Sequence, residues 1–195
     1  MLHPVTTRAL LAAGLVALAA MSLGATAAPA AAAGDYAVYE EHSPETKPMQ
    51  PGPNIRVLNR VIAQSGGAIA LDTESGTVSL APGTYRISGG SVLTYFDPEV
   101  DVDGKVSARA RPNAGYAQLQ YPDRLERGEI PLALGTMATA NMVPSLIDTI
   151  LHFDEPAQIV LLHQAGRDVD GIYLQVYVDD SDRHVMARLV IERID

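Results

Sequence analysis

From residue 55 onward the sequence repeats one pattern: short segments of alternating apolar and polar residues, separated by Gly, Pro, Asp or Asn. In one such segment Ile172, Leu174 and Val176 fall on one side of an extended chain, and Tyr173 and Gln175 fall on the other. Side chains alternate between the faces of a β-strand, so this pattern predicts strands with one buried face. No long segment has the apolar period of an amphipathic helix. We therefore predict an all-β domain, a jelly-roll sandwich of two antiparallel sheets.

About eight to ten strands are expected, because the first few candidate segments merge. The candidates are 55–63, 68–72, 76–80, 84–95, 115–121, 129–138, 145–154, 157–164, 171–178 and 184–194. Residues 145–153 have two interpretations. An apolar helical stripe that begins after Pro144 fits them, and so does a strand that places Ile147, Leu151 and Phe153 on one face. We favour the strand.

The first 33 residues have the three-part layout of a secretory signal peptide. Arg8 supplies a positive charge, residues 9–23 form an apolar run, and small residues up to Ala33 provide a cleavage site. The run is shorter than the ~20 apolar residues that a membrane-spanning helix needs. We therefore expect cleavage near Ala33, a secreted protein (extracellular or periplasmic), and no membrane span afterwards. The chain has no Cys, which excludes a lipoprotein anchor, disulfides and thiolate catalysis.

Residues 34–54 are predicted to be a Pro-rich linker. Four prolines fall within residues 44–53, and proline interrupts both helices and central strands. The remaining residues, 55–195, have a suitable length for one folded domain.

The charge of the predicted mature chain is strongly negative. Arg8 is the only charged residue in the signal peptide, so 13 basic and 23 acidic side chains remain, a net charge of −10. Such a surface repels phosphate backbones, and nucleic acid is therefore not an expected partner.

The segment 75–88 reads Ser-Gly-Thr-Val-Ser-Leu-Ala-Pro-Gly-Thr-Tyr-Arg-Ile-Ser and resembles the core of the tumour-necrosis-factor-like jelly rolls. These include the globular heads of complement and related bacterial and phage-tail domains. Four later segments resemble further strands of that family: 115–121, 135–140, 157–166 and 187–194. The resemblance implies a ten-stranded jelly roll, commonly trimeric, that serves adhesion or ligand recognition and has no catalytic residues. Unlike the animal members, the chain has no Trp and no collagen-like stalk.

The histidines suggest one metal site, which we weigh against an ordinary role. His152 and His163 lie on successive predicted strands, and Asp154 shares a face with His152. Two histidines and one carboxylate are a known ligand set for transition metals. The spacing matches no metal-binding motif, so we expect ordinary strand histidines and no bound metal.

Calcium is the one cofactor that the acidic loops suggest. Carboxylates at alternate positions can converge on this hard cation, although the loops lack EF-hand spacing. We expect solvated turns instead. The residues concerned are Asp97, Glu99, Asp101 and Asp103 in one loop, and Asp179, Asp180 and Asp182 in another.

No catalytic constellation stands out in the sequence, so we predict that the protein is not an enzyme. A G-x-S-x-G motif is absent, and Ser65-Gly66-Gly67 and Ser88-Gly89-Gly90 are predicted to be flexible turns or bulges. Four tyrosines on otherwise polar strand faces are candidates for a ligand-binding platform, although tyrosine also suits solvated strands. They are Tyr116, Tyr121, Tyr173 and Tyr177.

These observations favour a secreted, non-catalytic binding or assembly module that associates with itself, as a trimer by the family resemblance, and that binds an extracellular protein or glycan. The alternative is a carbohydrate-binding or carbohydrate-active protein on the same sandwich. An open apolar sheet face would support assembly, whereas aromatic side chains beside carboxylates in a groove would support carbohydrate binding.

Overall fold

The computed structural model describes residues 34–42, 45–95, 114–126, 129–138, 141–175 and 184–195. Within these ranges the chain forms β-strands and no helix, which confirms the all-β prediction. The strands are β1 (Tyr36–Glu41), β2 (Lys47–Pro48), β3 (Pro53–Ile55), β4 (Arg60–Ser65), β5 (Ile69–Asp72), β6 (Thr77–Leu80), β7 (Gly83–Ser91), β8 (Thr94–Tyr95), β9 (Tyr116–Gln120), β10 (Ala133–Met137), β11 (Ser145–Phe153), β12 (Ala157–Gln164), β13 (Ile172–Gln175) and β14 (Ala187–Arg193).

Eleven of these strands form two antiparallel sheets, and the chain passes repeatedly from one to the other. The first sheet has the order β11-β7-β14-β1-β4, and the second has the order β10-β9-β12-β6-β5, with β3 added to β12. A smaller third sheet has the order β2-β13-β8. This alternation between two facing sheets is the jelly-roll arrangement that the sequence predicted.

The main core lies between the two large sheets and is built from the inward half of each alternating strand. It contains fully buried side chains from both sheets: Ala37, Tyr39, Tyr85, Ile87, Leu189 and Ile191 from the first, and Val78, Leu119, Ile159 and Leu161 from the second. A second, smaller core packs beneath the third sheet and includes Met49, Leu93, Tyr95, Ile172 and Leu174.

Residues 145–153 form a strand, as we favoured. β11 pairs with β7 over its full length, from Ser145 opposite Ser91 to Phe153 opposite Gly83. Ile147 is buried in the core, while Leu146 is exposed. The backbone of a strand finds its hydrogen bonds in the neighbouring strand, and here β7 satisfies them along nine residues.

The structure differs from the predicted linker at 34–54, because residues 36–41 form β1 between β14 and β4. The prolines follow this strand and do not interrupt it, so Ala37 and Tyr39 reach the main core. Pro48 and Pro53 then occupy the very short strands β2 and β3. Proline is tolerated at such positions because it lacks only one donor of the ladder.

The two Ser-Gly-Gly segments have different structures. Ser65-Gly66-Gly67 ends in a turn, as predicted, with φ of +76° at Gly66. Ser88-Gly89-Gly90 is neither a turn nor a bulge, because it lies in the middle of β7 and pairs continuously with β11 and β14. A Cβ at Gly89 would collide with the carbonyl oxygen of Arg188, so this glycine permits a close approach of two strands.

The predicted signal peptide, residues 1–33, lies outside the described residues. In the part of the chain that the structure describes, no helix has the length and apolar character to span a membrane.

Candidate functional site

The outer face of the first sheet is open to solvent and carries large apolar side chains. Leu146 and Ile150 on β11 are 55% and 62% exposed, and Val190 on β14 is also exposed. Val190 lies directly opposite Val38 of β1, and on its other side Ser88 of β7 and Asp148 of β11 separate it from Leu146 and Ile150. Their strand neighbours fill the core, and side chains in the alternate positions must therefore point outward.

Two pairs of oppositely charged side chains lie on this face, and exposed Glu192 of β14 has no ion pair among the described residues. Arg86 and Asp148 contact across β7 and β11, with Nη2 and Oδ2 3.4 Å apart. Arg188 donates from Nε to Glu40 Oε1 at 2.7 Å, and His42 Nε2 lies 2.8 Å from Glu40 Oε2. Burial alone would raise the pKa of Glu40, but the hydrogen bonds from His42 and Arg188 lower it overall. The carboxylate therefore stays ionised and paired at neutral pH.

A groove of about 760 Å³ opens on this face above Ser88, Gly89 and Gly90. These small residues leave a depression in β7, with Leu146 on one side and Arg188 on the other. The lining is mainly apolar, and pockets of this size are large enough to receive side chains of a partner. The groove is thus the deepest part of an otherwise open sheet face.

The groove also receives residues from the second sheet, because side chains join β10 to β11. Ala117 N donates to Ser145 Oγ at 2.7 Å, and Ser145 Oγ in turn donates to the carbonyl oxygen of Thr136. Leu146 N donates to Thr136 Oγ1 at 3.0 Å. This junction holds exposed Leu134 at the groove and extends the apolar surface from one sheet onto the edge of the other.

The structure does not bring the predicted metal ligands together. His152 lies on β11 of the first sheet, and His163 lies on β12 of the second. His163 is fully buried, with Nε2 2.7 Å from the carbonyl oxygen of Ala114 and Nδ1 2.9 Å from Ser91 Oγ. Among the described residues, no three His, Asp or Glu side chains are grouped closely enough to bind a metal.

These contacts define the state of His163. A carbonyl oxygen only accepts, so Nε2 carries the proton, and Nδ1 accepts from the Ser91 hydroxyl. Burial lowers the pKa of His163 to about 4, opposed by the hydrogen bond to Ala114 and reinforced by the charge of Arg56. This neutral histidine links the two sheets, and its burial excludes it from chemistry on a dissolved substrate.

His152 takes part in an exposed hydrogen-bond chain. Its Nδ1 lies 2.9 Å from Thr84 Oγ1, and its Nε2 lies 3.2 Å from Asp154 Oδ1. Thr84, His152 and Asp154 are arranged like the nucleophile, base and acid of a catalytic triad. The side chain of Asp154, however, is 94% exposed. Catalysis of that type requires a water-excluding site with oxyanion donors, and Thr84 lines none of the cavities described here.

The predicted tyrosine platform is dispersed. Tyr116 and Tyr121 lie at opposite ends of β9 and line different cavities. Tyr121 also packs against the main core, and Arg124 covers its ring at 4.9 Å from the centroid. Tyr173 lies in the third sheet, opposite Pro48. Tyr177 lies outside the described residues.

The two acidic loops considered for calcium also lie outside the described residues. They contain Asp97, Glu99, Asp101 and Asp103 in the first loop, and Asp179, Asp180 and Asp182 in the second.

A buried ion pair connects the two cores, and the sequence did not reveal it. Arg56 is fully buried, with Nε 2.6 Å from Glu41 Oε2 and Nη1 donating to the carbonyl oxygen of Leu174 at 2.9 Å. Burial lowers the pKa of Arg56, while the Glu41 charge opposes that shift. The only local signal was Glu41 at a position that alternates with the core residues Ala37 and Tyr39.

No family model and no curated protein matches this sequence. Among solved structures, the chain is similar to the PRD1 vertex protein P5, with 9% identity, a TM-score of 0.41, and coverage of 84% of this chain and 99% of that chain. It is also similar to the globular domain of the zebrafish complement 1qA protein, with 10% identity, a TM-score of 0.40, and coverage of 84% and 98%.

Proposed function

We propose that this protein is exported, loses residues 1–33 and associates with copies of itself through the outer face of its first sheet, as a non-catalytic assembly or binding module. The observation that supports this is that three large apolar side chains, those of Leu146, Ile150 and Val190, are exposed on one open sheet face. Burying one such side chain contributes about 1.5–3 kcal/mol, so covering several of them is a substantial driving force.

Charge favours this face as the place where two copies meet. A chain with a net charge of −10 repels its own copies over most of its surface. On the outer face, however, Arg86 is paired with Asp148, and Arg188 is paired with Glu40. Covering these two pairs buries no unpaired carboxylate, which would be costly, and the exposed carboxylate of Glu192 on β14, which has no ion pair among the described residues, must stay in solvent.

Three copies are the expected stoichiometry, because the sequence resembles a commonly trimeric family. A threefold ring places the outer face of one copy against a different surface of the next. The groove beside Leu146 is suited to receive a protruding side chain of that neighbour.

Arginine substitutions on exposed isoleucines test the proposal. Ile150→Arg places an unpaired charge in the outer face and should dissociate the oligomer while the fold remains intact, because the side chain lies outside the core. Ile130→Arg is the matched control: Ile130 is 87% exposed and lies outside the strands of the first sheet. Molar mass by light scattering should fall for the first variant only. An unchanged oligomer in Ile150→Arg would refute the proposed interface.

A further inference from the structure

A second cavity, of about 680 Å³, lies on the outer face of the second sheet. Its base is formed by β9 and β12, which present Tyr116, Gln118 and Gln164 outward, because Ala117 and Leu119 fill the core. Tyr116 lies directly opposite Gln164 in the register of the two strands. The outer faces of the two large sheets point in opposite directions, and this cavity shares only Leu134, at the edge of the second sheet, with the lining of the groove on the proposed assembly face.

Gln118 is the unusual residue of this cavity. Its side chain is 8% exposed, yet its amide forms no hydrogen bond with any residue that the structure describes. Gln120, two positions along the same strand and on the same face, is fully paired: Nε2 donates to Ile130 O at 3.2 Å, and Oε1 accepts from Tyr121 N at 3.0 Å. The amide of Gln118 is not among the buried polar atoms without a partner, so it reaches the open space of the cavity, where it can serve a ligand or water.

Other polar side chains that line the same cavity also have atoms without a hydrogen-bond or ion-pair partner among the described residues. Gln164 uses Nε2 to donate to Ala165 O at 3.2 Å, and its amide oxygen is unoccupied among the described partners. Within the described ranges, the Tyr116 hydroxyl has no hydrogen bond and exposed Arg167 has no ion pair. Glu126 and Glu129 also line the cavity, and both are exposed.

The backbone beneath these side chains is fixed by a glycine. Gly115 has φ of +80°, and a Cβ at that position would collide with the carbonyl oxygen of Gln164. The close approach of β9 and β12 at this point holds Tyr116 beside Gln164. The cavity is therefore built on paired strands, which position ligand-binding groups more accurately than loops do.

We propose that this cavity binds a neutral saccharide. Two side-chain amides and a phenol both donate and accept hydrogen bonds, as the hydroxyl groups of a sugar do. The Tyr116 ring and the prolines of the wall, Pro51, Pro53 and Pro131, offer apolar surface to the C–H face of a sugar ring. Glu126 and Glu129, on a chain of net charge −9, disfavour acidic sugars.

Nuclear magnetic resonance of the side-chain amides tests the site directly. The purified protein is titrated with millimolar maltotriose, cellotriose, mannotriose and triacetylchitotriose, and the NH₂ signals of Gln118 are assigned from their loss in Gln118→Leu. At least one trisaccharide should shift these signals. Gln118→Leu should weaken its affinity about tenfold, because one or two hydrogen bonds are lost.

The matched control for binding is Gln158→Leu, an exposed glutamine on the same β12 strand that lines a different cavity. It should retain the affinity of the unsubstituted protein. No shift at Gln118 with any of the four sugars overturns the proposal, as does equal loss of affinity in both variants.

A second measurement tests whether Gln118 is a binding residue or a structural one. Gln118→Leu should leave the melting temperature unchanged or raise it, because no internal hydrogen bond is lost. Gln120→Leu should lower it, because Ile130 O and Tyr121 N lose their partners. A loss of stability in Gln118→Leu as large as that in Gln120→Leu would overturn the assignment.

Discussion

Ser91 Oγ lies 2.9 Å from His163 Nδ1 and joins the first sheet to the second across the buried interior. Both residues are fully buried, and 72 residues of chain separate them. Burial holds His163 in its neutral form, and because Nε2 donates to Ala114 O, Nδ1 is free to accept from the Ser91 hydroxyl.

This contact predicts a loss of stability in mild acid. The pKa of His163 is lowered to about 4 in the folded protein, mainly by burial, from a normal value of 6.5. The unfolded chain therefore binds a proton at a pH where the folded chain does not. Stability is present above pH 6.5 and falls as the pH drops from 6.5 towards 4, by on the order of 3 kcal/mol.

Denaturant unfolding measured between pH 7 and pH 4.5 checks this dependence. His163→Gln removes the ionisable ring, so its free energy of unfolding should fall less steeply with acid than that of the unsubstituted protein. The same exchange at exposed His152 is the control and should keep the original pH profile. Identical slopes for the His163 variant and the unsubstituted protein would contradict the buried, neutral assignment.

The buried Glu41–Arg56 pair predicts that removing either side chain alone lowers the free energy of unfolding strongly. Arg56→Met leaves the Glu41 carboxylate buried without its counter-charge and should destabilise the fold by about 3–5 kcal/mol. Arg86→Met breaks a pair in which both side chains are more than half exposed, so its effect should be below about 1 kcal/mol.

A double substitution separates pairing from packing. Glu41→Leu combined with Arg56→Met should recover much of the stability lost in the single variant, because no unpaired charge remains. Denaturant midpoints of Glu41→Leu, Arg56→Met and the double variant measure this coupling. Additive losses in the double variant would show that the two side chains do not act as a pair.

The close approach of β7 and β14 predicts a large effect from a single methyl group. Gly89→Ala places a Cβ against the carbonyl oxygen of Arg188, so the two strands must separate, at a loss of about 1–3 kcal/mol. Gly67→Ala is the control, because a Cβ there has nothing within 4 Å. Thermal melts should show a lower midpoint for the first variant and little change for the second. Equal midpoints would mean that β7 tolerates a side chain at this position.

The sequence predicted those parts of the fold that depend on local pattern. Alternation in 145–153 was sufficient for β11, because a strand with one buried face requires that pattern. β1 was missed, because the prolines that follow it led us to assign the whole of 34–54 to a linker. Gly89 was misinterpreted for a different reason: glycine suits both a turn and a close strand contact, and only the register of β7 with β14 distinguishes them.

The candidate sites were harder to predict, because they depend on long-range pairing. Tyr116 was predicted as a ligand-binding residue, and it lines the saccharide cavity that we propose. Gln118 carried no sequence signal, since only the folded chain shows that the amide of Gln120 is paired with Ile130 O and Tyr121 N while that of Gln118 is not. The outer face of the first sheet was recognisable only after the order of its strands was known, since Val38 and Val190 are far apart in sequence.

The central claim is that copies of this chain associate through the outer face of the first sheet, and the molar mass of the purified protein tests it most directly. Sedimentation equilibrium at micromolar concentration should give an oligomer, with three copies as the expected number, and its mass should fall on dilution or in Ile150→Arg. A monomer throughout the micromolar range would contradict the claim, and the exposed side chains of Leu146, Ile150 and Val190 would then need a different partner.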